Sequence, residues 1–175
     1  MHPNEQVVQR FFHCFAGGDY RGMQECLHPD VEFSDIGFNL RGKQVGVMWQ
    51  MICAKGTQIM FRNVHADDSQ GSAHWECHYD FQKEEGAKAH SVHNVIEARF
   101  RFEGGRIREH HDSCDFERWA RQALGLAGAV LGETEFLHKK VRESAQAKLD
   151  KFMVEHPESL SAESDERAVN RNQET

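Results

Sequence analysis

Two aspartates have the residue type and spacing needed to move protons. Asp35 ends the run Val31-Glu32-Phe33-Ser34-Asp35, in which Val31, Phe33 and Asp35 alternate with Glu32 and Ser34 as on a strand with one buried face. Asp112 lies in a second such run, where Arg108, His110, Asp112 and Cys114 share one parity and Ile107, Glu109, His111 and Ser113 share the other. Both parities turn the carboxyls inward. Burial raises a carboxyl pKa, and a second carboxylate nearby raises one of the pair further, so two aspartates can serve as proton donor and proton acceptor. His110 shares the face of Asp112 and could act as a general acid or base near neutral pH. A structural reading competes, in which Asp35 caps the loop after it and Asp112 is held by Arg108 or His110 in a core network.

Other chemistry finds less support in the spacing. Among 12 His, His74 and His78 would lie about 13 Å apart along a strand, too far to chelate one ion unaided, while His110 and His111 face opposite sides. No metal site is predicted. Cys77 and Cys114 fall on inward faces, but five Cys without a CxxC pair read as reduced core thiols. With neither a GxGxxG run nor a Walker sequence, no cofactor is expected.

The elements that must position these residues follow from hydrophobic period. Val7, Val8, Phe11, Phe12 and Phe15 form one helical stripe that Pro3 opens and Gly17-Gly18 closes. Asp19 offers an N-cap to a short second helix that carries Met23, Cys26 and Leu27 inward and stops at His28-Pro29. After a loop from Gly37 to Gly42, Val45, Met48, Trp49 and Ile52 give a third helix ended by Gly56. From Thr57 the period becomes two, with strand-like runs at 57–66, 72–82, 88–103 and 106–114 joined by short turns, hence antiparallel neighbours. The third run would span roughly 50 Å if flat, more than the width of a domain this size, so the sheet must bend. Helices across its concave side make a cone with an interior.

Beyond the sheet, Asp115 caps a helix through Phe116, Trp119 and Leu124, and 124–132 is a Gly/Ala/Leu connection. Leu137, Val141, Ala145, Leu149 and Phe152 mark a helix over 133–155. Few apolar residues remain after His156, which predicts disorder. The expected organisation is a cone domain over 1–125, a helical extension of the same domain over 126–155, and a disordered acidic tail over 156–175.

Charge and hydropathy narrow the partners. With 21 Lys+Arg against 28 Asp+Glu and a formal charge of −7, neither nucleic acid nor an anionic membrane surface is expected. No run approaches a span of about 18 apolar residues and the start lacks a basic-then-apolar pattern, so a membrane span and a signal peptide are not expected and a cytoplasmic location is. A small apolar ligand or a protein partner fits better.

The helix ending in GGDY, the run LHPDVEFSDIGFNLRG, the hairpin VHNVIEARFRFEGGRI and the segment REHHDSCDFERWARQALG, in this order, resemble the SnoaL-like branch of the nuclear transport factor 2-like (ketosteroid isomerase-like) superfamily. The likeness covers about residues 4–125, and 125–155 looks like a helical extension found in one bacterial subgroup. The resemblance implies an α+β cone, with N-terminal helices packed on a curved, mainly antiparallel sheet around a pocket. It implies that Asp112, in a D-x-x-D segment reading DSCD, faces that pocket with His110 beside it. Parity supplies the wall: Phe33, Trp75, Tyr79, Asn94, Phe100 and Cys114 from strands, and Trp49 from the third helix, as ligand contacts.

Departures from the family's patterns carry information. The tyrosine and aspartic acid that donate to a dienolate oxygen in ketosteroid isomerases fall on Phe11 and Ala98, which cannot stabilise an oxyanion. The Arg and Asp of a limonene epoxide hydrolase-like relay fall on a strand offering Trp75, Cys77 and Tyr79. A SnoaL-type cyclisation asks only for an inward Asp on the last strand with a His nearby. Two functions stay open. One is a cofactor-free acid/base enzyme of isomerase, cyclase or dehydratase type, in which Asp112 or Asp35 takes a proton next to the carbonyl of an apolar or polycyclic compound and His110 orients or donates. The other is a non-catalytic ligand-binding or dimerisation module. An open sheet leaves one face and two edges exposed, which predicts a homodimer in either case.

Overall fold

The chain opens with α1 (Pro3–Ala16) in the computed structural model, which describes residues 1–83, 85–126, 130 and 134–161. His2 and Glu5 close a capping box: His2 Nδ1 accepts from the Asn4 amide at 3.1 Å and Glu5 Oε2 from the His2 amide at 3.0 Å. The stripe Val8, Phe11, Phe12, Phe15 is buried. Asp19 caps α2 (Tyr20–Glu25), accepting from the Gly22 amide at 2.9 Å. This helix is shorter than its sequence suggests. Leu27 already belongs to β1 (Leu27–Ser34), where it pairs with Ile107, because His28 before Pro29 is restricted to extended geometry and draws its neighbour into the sheet.

The remaining elements are β2 (Asn39–Arg41), α3 (Lys43–Ala54), β3 (Gln58–Ala66), β4 (Gln70–Phe81), β5 (His90–Glu103), β6 (Arg106–Cys114), α4 (Phe116–Leu124), α5 (Glu135–Glu155) and α6 (Glu158–Ser161). Six strands make one open curved sheet in the order β2-β1-β6-β5-β4-β3. The fold is α+β, as expected, and the runs from Thr57 onward are antiparallel neighbours. Two features go beyond the sequence reading. β2 forms inside the segment read as a loop, and β1 runs parallel to β6.

Curvature comes from bulges. On β3 the register shifts between Arg62 and His65, where Asn63 takes a φ of 54°. On β6 one extra residue, Arg108, sits between Ile107, opposite Phe102, and Glu109, opposite Arg101. This bulge corrects the expected parity. Ile107 turns inward with no exposure, and Arg108 goes to the rim, where it pairs with Glu32 at 3.3 Å and Glu103 at 3.5 Å rather than with Asp112.

Asp115 caps α4 by accepting from the Arg118 amide at 2.9 Å, and Thr134 caps α5 by accepting from the Leu137 amide at 3.2 Å. Leu149 of α5 is buried in the main core, while Leu137 joins a second cluster with Val92, Phe116 and Trp119, and Tyr79 touches both. The segment expected to be disordered from His156 begins with the turn α6, where Leu160 carbonyl accepts from Lys43 Nζ of α3 at 3.2 Å. The expectations for 127–129, 131–133 and the tail from 162 lie outside the described residues.

Candidate active site

A cavity of about 1830 Å³ opens between the concave sheet face and helices α3, α4 and α5. Asp35, Asp112, Phe33, Trp49, Trp75, Tyr79, Asn94 and Cys114 line it. His110 and Phe100, expected there from parity, do not. Facing inward is not the same as facing the cavity, because helices close directly onto the sheet beyond the cavity's end. His110 is 1% exposed, with Phe11, Phe33 and Phe100 rings at 5.6, 5.1 and 4.5 Å and Trp49 stacked on it at 5.8 Å. Phe12 meets Phe100 edge-on at 6.3 Å.

His110 instead reaches the cavity through Asp112. Asp112 Oδ1 accepts from His110 Nε2 at 2.9 Å and from Trp75 Nε1 at 3.2 Å. A carboxylate only accepts, so the imidazole proton on this contact belongs to Nε2; Nδ1 is buried without a partner. Oδ2 has no protein partner among the described residues, and the residue lines the cavity.

Asp35 follows the end of β1 and is anchored in the same one-sided way. Its Oδ1 accepts from the Gly37 and Phe38 amides at 2.7 and 2.6 Å, which closes the loop. A side chain at position 37 would place its Cβ 3.3 Å from Ala145 Cβ of α5, so glycine lets this loop press against the helix. Desolvation pushes the Asp35 carboxyl up to about 6, with the two amides pulling the other way and the charge of Asp112 adding to the rise. The loop-capping reading and the perturbed-carboxyl reading therefore hold for the same residue.

Tyr79 of β4 adds a donor to the lining. Its hydroxyl accepts from Trp119 Nε1 at 2.8 Å, and burial pushes its pKa well up, so the phenol keeps a proton for which no described residue is the acceptor. The thiols have less to offer. Burial pushes Cys77 up to about 12 and Cys114 up to about 11, which holds both as thiols, and Asn94 hydrogen-bonds Cys114.

The sequence reading missed Lys55 at the end of α3, Lys148 on α5, and Trp119, which orients Tyr79. A signal for one of them existed: Lys148 falls at helical spacing within the stripe Val141, Ala145, Phe152, where a lysine is out of place on a merely apolar face.

Comparison with known proteins agrees with this architecture. The model of the SnoaL-like domain matches residues 8–110, more than half of the chain. The chain belongs to the SnoaL-like domain family. Among solved structures, this SnoaL-like protein resembles an LEH-like epoxide hydrolase from M. tuberculosis with a TM-score of 0.58 and 17% identity, over 74% of this chain and 96% of that one. It resembles a putative polyketide cyclase from Xanthomonas campestris pv. campestris with a TM-score of 0.57 and 20% identity, over 69% and 96%. TsrD from Streptomyces laurentii gives a TM-score of 0.58 at 16% identity, over 70% and 96%. No curated protein sequence matches it. At these identities the likeness establishes the fold alone. Among the described residues no helix is long and apolar enough to cross a membrane.

Proposed function

We propose that this SnoaL-like protein is a cofactor-free acid/base enzyme of the isomerase, cyclase or dehydratase type, acting on an apolar carbonyl-containing or polycyclic compound. One observation carries the reading: two carboxylates line one cavity, each anchored through Oδ1 and open at Oδ2, and one is raised to about 6. A base is most effective when its pKa lies near the working pH. Asp35 takes the proton from the carbon next to the carbonyl, and the C–H electron pair moves into the enolate. Tyr79 O–H donates to the carbonyl oxygen as charge develops there, filling the role that Phe11 and Ala98 cannot. Protonated Asp35 then returns its proton to another carbon or to a leaving hydroxyl. Asp112 keeps Asp35 basic by its charge and can accept from a substrate hydroxyl. His110 touches Asp112 and not the cavity, so it is a positioning residue. No arginine lines the cavity among the described residues, and an epoxide-opening relay is not supported.

The test is proton exchange. Polycyclic ketones and β-diketones incubated with the protein in D₂O should gain deuterium next to the carbonyl, read by mass spectrometry, and Asp35→Asn should lower the rate about 10²–10⁴-fold. A wild-type chain that binds these compounds and exchanges none of them is a ligand-binding module, and the enzymatic reading fails. The same proposal takes the chain as a cytoplasmic homodimer paired through its open sheet. Sedimentation at micromolar concentration should give twice the monomer mass, and a monomer alone rejects that part.

A further inference from the structure

Two lysines that this chemistry leaves unused face the same cavity. Lys55 follows the last turn of α3, and Lys148 sits in the stripe by which α5 faces the cone. The helices α3 and α5 pack together, so the two side chains reach one mouth from two elements. Of the other lysines that line the cavity, Lys140 pairs with Glu143 at 3.1 Å and Lys151 with Glu85 at 3.5 Å, while Lys83 and Lys88 are exposed on the turn between β4 and β5. Lys148 donates to the Gln82 carbonyl at 2.8 Å and lies 4.7 Å from the Phe81 ring centre, contacts that bring no negative charge. Lys55 has no carboxylate within ion-pair reach among the described residues.

A lysine after a helix is favoured by the helix dipole, which accounts for Lys55 alone. It does not account for a second ammonium on another helix lining the same cavity. Desolvation lowers the pKa of both, and at Lys148 the charge of Lys55 lowers it further, so each would gain from a counter-ion. We propose that Lys55 and Lys148 form an anion subsite at the cavity mouth, and that the ligand is an apolar carbonyl compound bearing a carboxylate.

The two aspartates in the same cavity set the orientation. Asp35 and Asp112 repel a second carboxylate, so the neutral carbonyl end enters first and the anionic end stays with the lysines; this placement of the reacting end rests on the proposed function. The helix α3 also gives a length. Trp49, stacked on His110 beside Asp112, precedes Lys55 by six residues, which is about 9 Å along the helix axis at 1.5 Å per residue. A small polycycle with a short carboxylate arm spans that separation.

The experiment compares pyrenebutyrate with pyrenebutanol, which differ in the anionic group, by fluorescence titration of the full chain. The wild type should prefer the acid about tenfold or more, as two charge-assisted hydrogen bonds predict, and the preference should shrink with added salt. Lys55→Met and Lys148→Met should each weaken acid binding about tenfold and leave alcohol binding within about twofold, which also shows that the variants are folded. Lys139→Met, outside the cavity on α5, should change neither. Equal affinity of the wild type for both probes, parallel loss of both in the lysine variants, or no binding of either overturns the subsite. Acid-selective binding without deuterium exchange on any ketone keeps the subsite and rejects the catalytic reading. Exchange on neutral ketones without acid preference does the reverse.

Discussion

Strands β4, β5 and β6 and the loop beside them carry carboxylates on both faces of the sheet, and the two faces treat them in opposite ways. On the outer face Glu76 accepts from His93 Nε2 at 2.8 Å, His74 Nε2 at 3.1 Å and Arg62 Nη1 at 3.0 Å, and His74 Nδ1 meets Glu97 at 2.6 Å. These partners, His93 first, hold the Glu76 carboxyl down at about 2, while Glu97 followed by Glu76 raises His74. On the inner face Asp35 and Asp112 also have two donors each, yet Asp35 is raised to about 6. The number of hydrogen bonds is therefore not what separates the faces. The outer partners can carry charge and use both oxygens of Glu76, whereas the inner donors are backbone amides and ring N–H groups that leave one oxygen open in a desolvated wall. One arrangement stabilises a resting anion, and the other keeps a reactive one.

The largest expected effect that tests this contrast is at Asp112. Asp112→Asn should cut deuterium exchange about 10²-fold and, because a like charge has gone, move the acid limb of the pH–rate profile below 6. In the wild type that limb should rise as Asp35 ionises near 6. An acid limb that moves upward in the variant would show that Asp112 does not support the basicity of Asp35.

Next in size is the stability of the Asp35 site. Its folded pKa lies above the usual 3.8, so the proton favours the folded state; the contribution is fully present below pH 4 and is lost as pH rises through 6. Asp35→Asn keeps the acceptor for Gly37 and Phe38 and removes the buried charge. The variant should be more stable than wild type by about 1–3 kcal/mol at pH 8 and no more stable at pH 4, in urea unfolding at both pH values. A stability loss at pH 8 would mean that the loop needs the charge.

The two inner tryptophans sharpen the comparison at smaller scale. Trp75→Phe removes a donor to Asp112 and should cost about 1–2 kcal/mol. Trp49 Nε1 is buried without a partner, so Trp49→Phe loses packing but no hydrogen bond and should cost less than Trp75→Phe. Equal losses in urea unfolding would indicate that ring volume, rather than the hydrogen bond, governs both positions.

What was legible in the sequence was whatever is encoded locally. The stripe through Phe11, Phe12 and Phe15, the caps at Asp19 and Asp115, the alternation of β4 and β5 and the inward parity of Asp112 are written within a few residues of each other. The parallel pairing of β1 with β6 joins residues about eighty apart, and no period reveals it. Parity also assumes an unbroken pleat, so the bulge at Arg108 moved Ile107 inward without notice. Which inward side chains meet the cavity was equally hidden, since His110 and Phe100 are shut off by α1 and α3 rather than by their own strands. Lys55 and Lys148 lie on different helices, and their shared cavity exists only once α5 closes on the cone.

The smallest expected effect lies on the outer face and has the opposite sign. Glu76 titrates below its usual 4.5, so its contribution to stability is present above that value and is lost as pH falls toward 2. Glu76→Gln keeps the shape and removes the charge that His93, His74 and Arg62 share. Because solvent screens these pairs, Tm should drop only about 1–3 °C at pH 7, and the gap from wild type should close as the pH approaches 2. The Asp35→Asn gap runs the other way, opening in favour of the variant as pH climbs from 4 to 8. Deuterium exchange should be unchanged in Glu76→Gln, since no atom of that network lines the cavity. If both variants shift Tm in the same direction at pH 7, or if Glu76→Gln slows exchange, the two faces are coupled and the division between resting and reactive carboxylates fails.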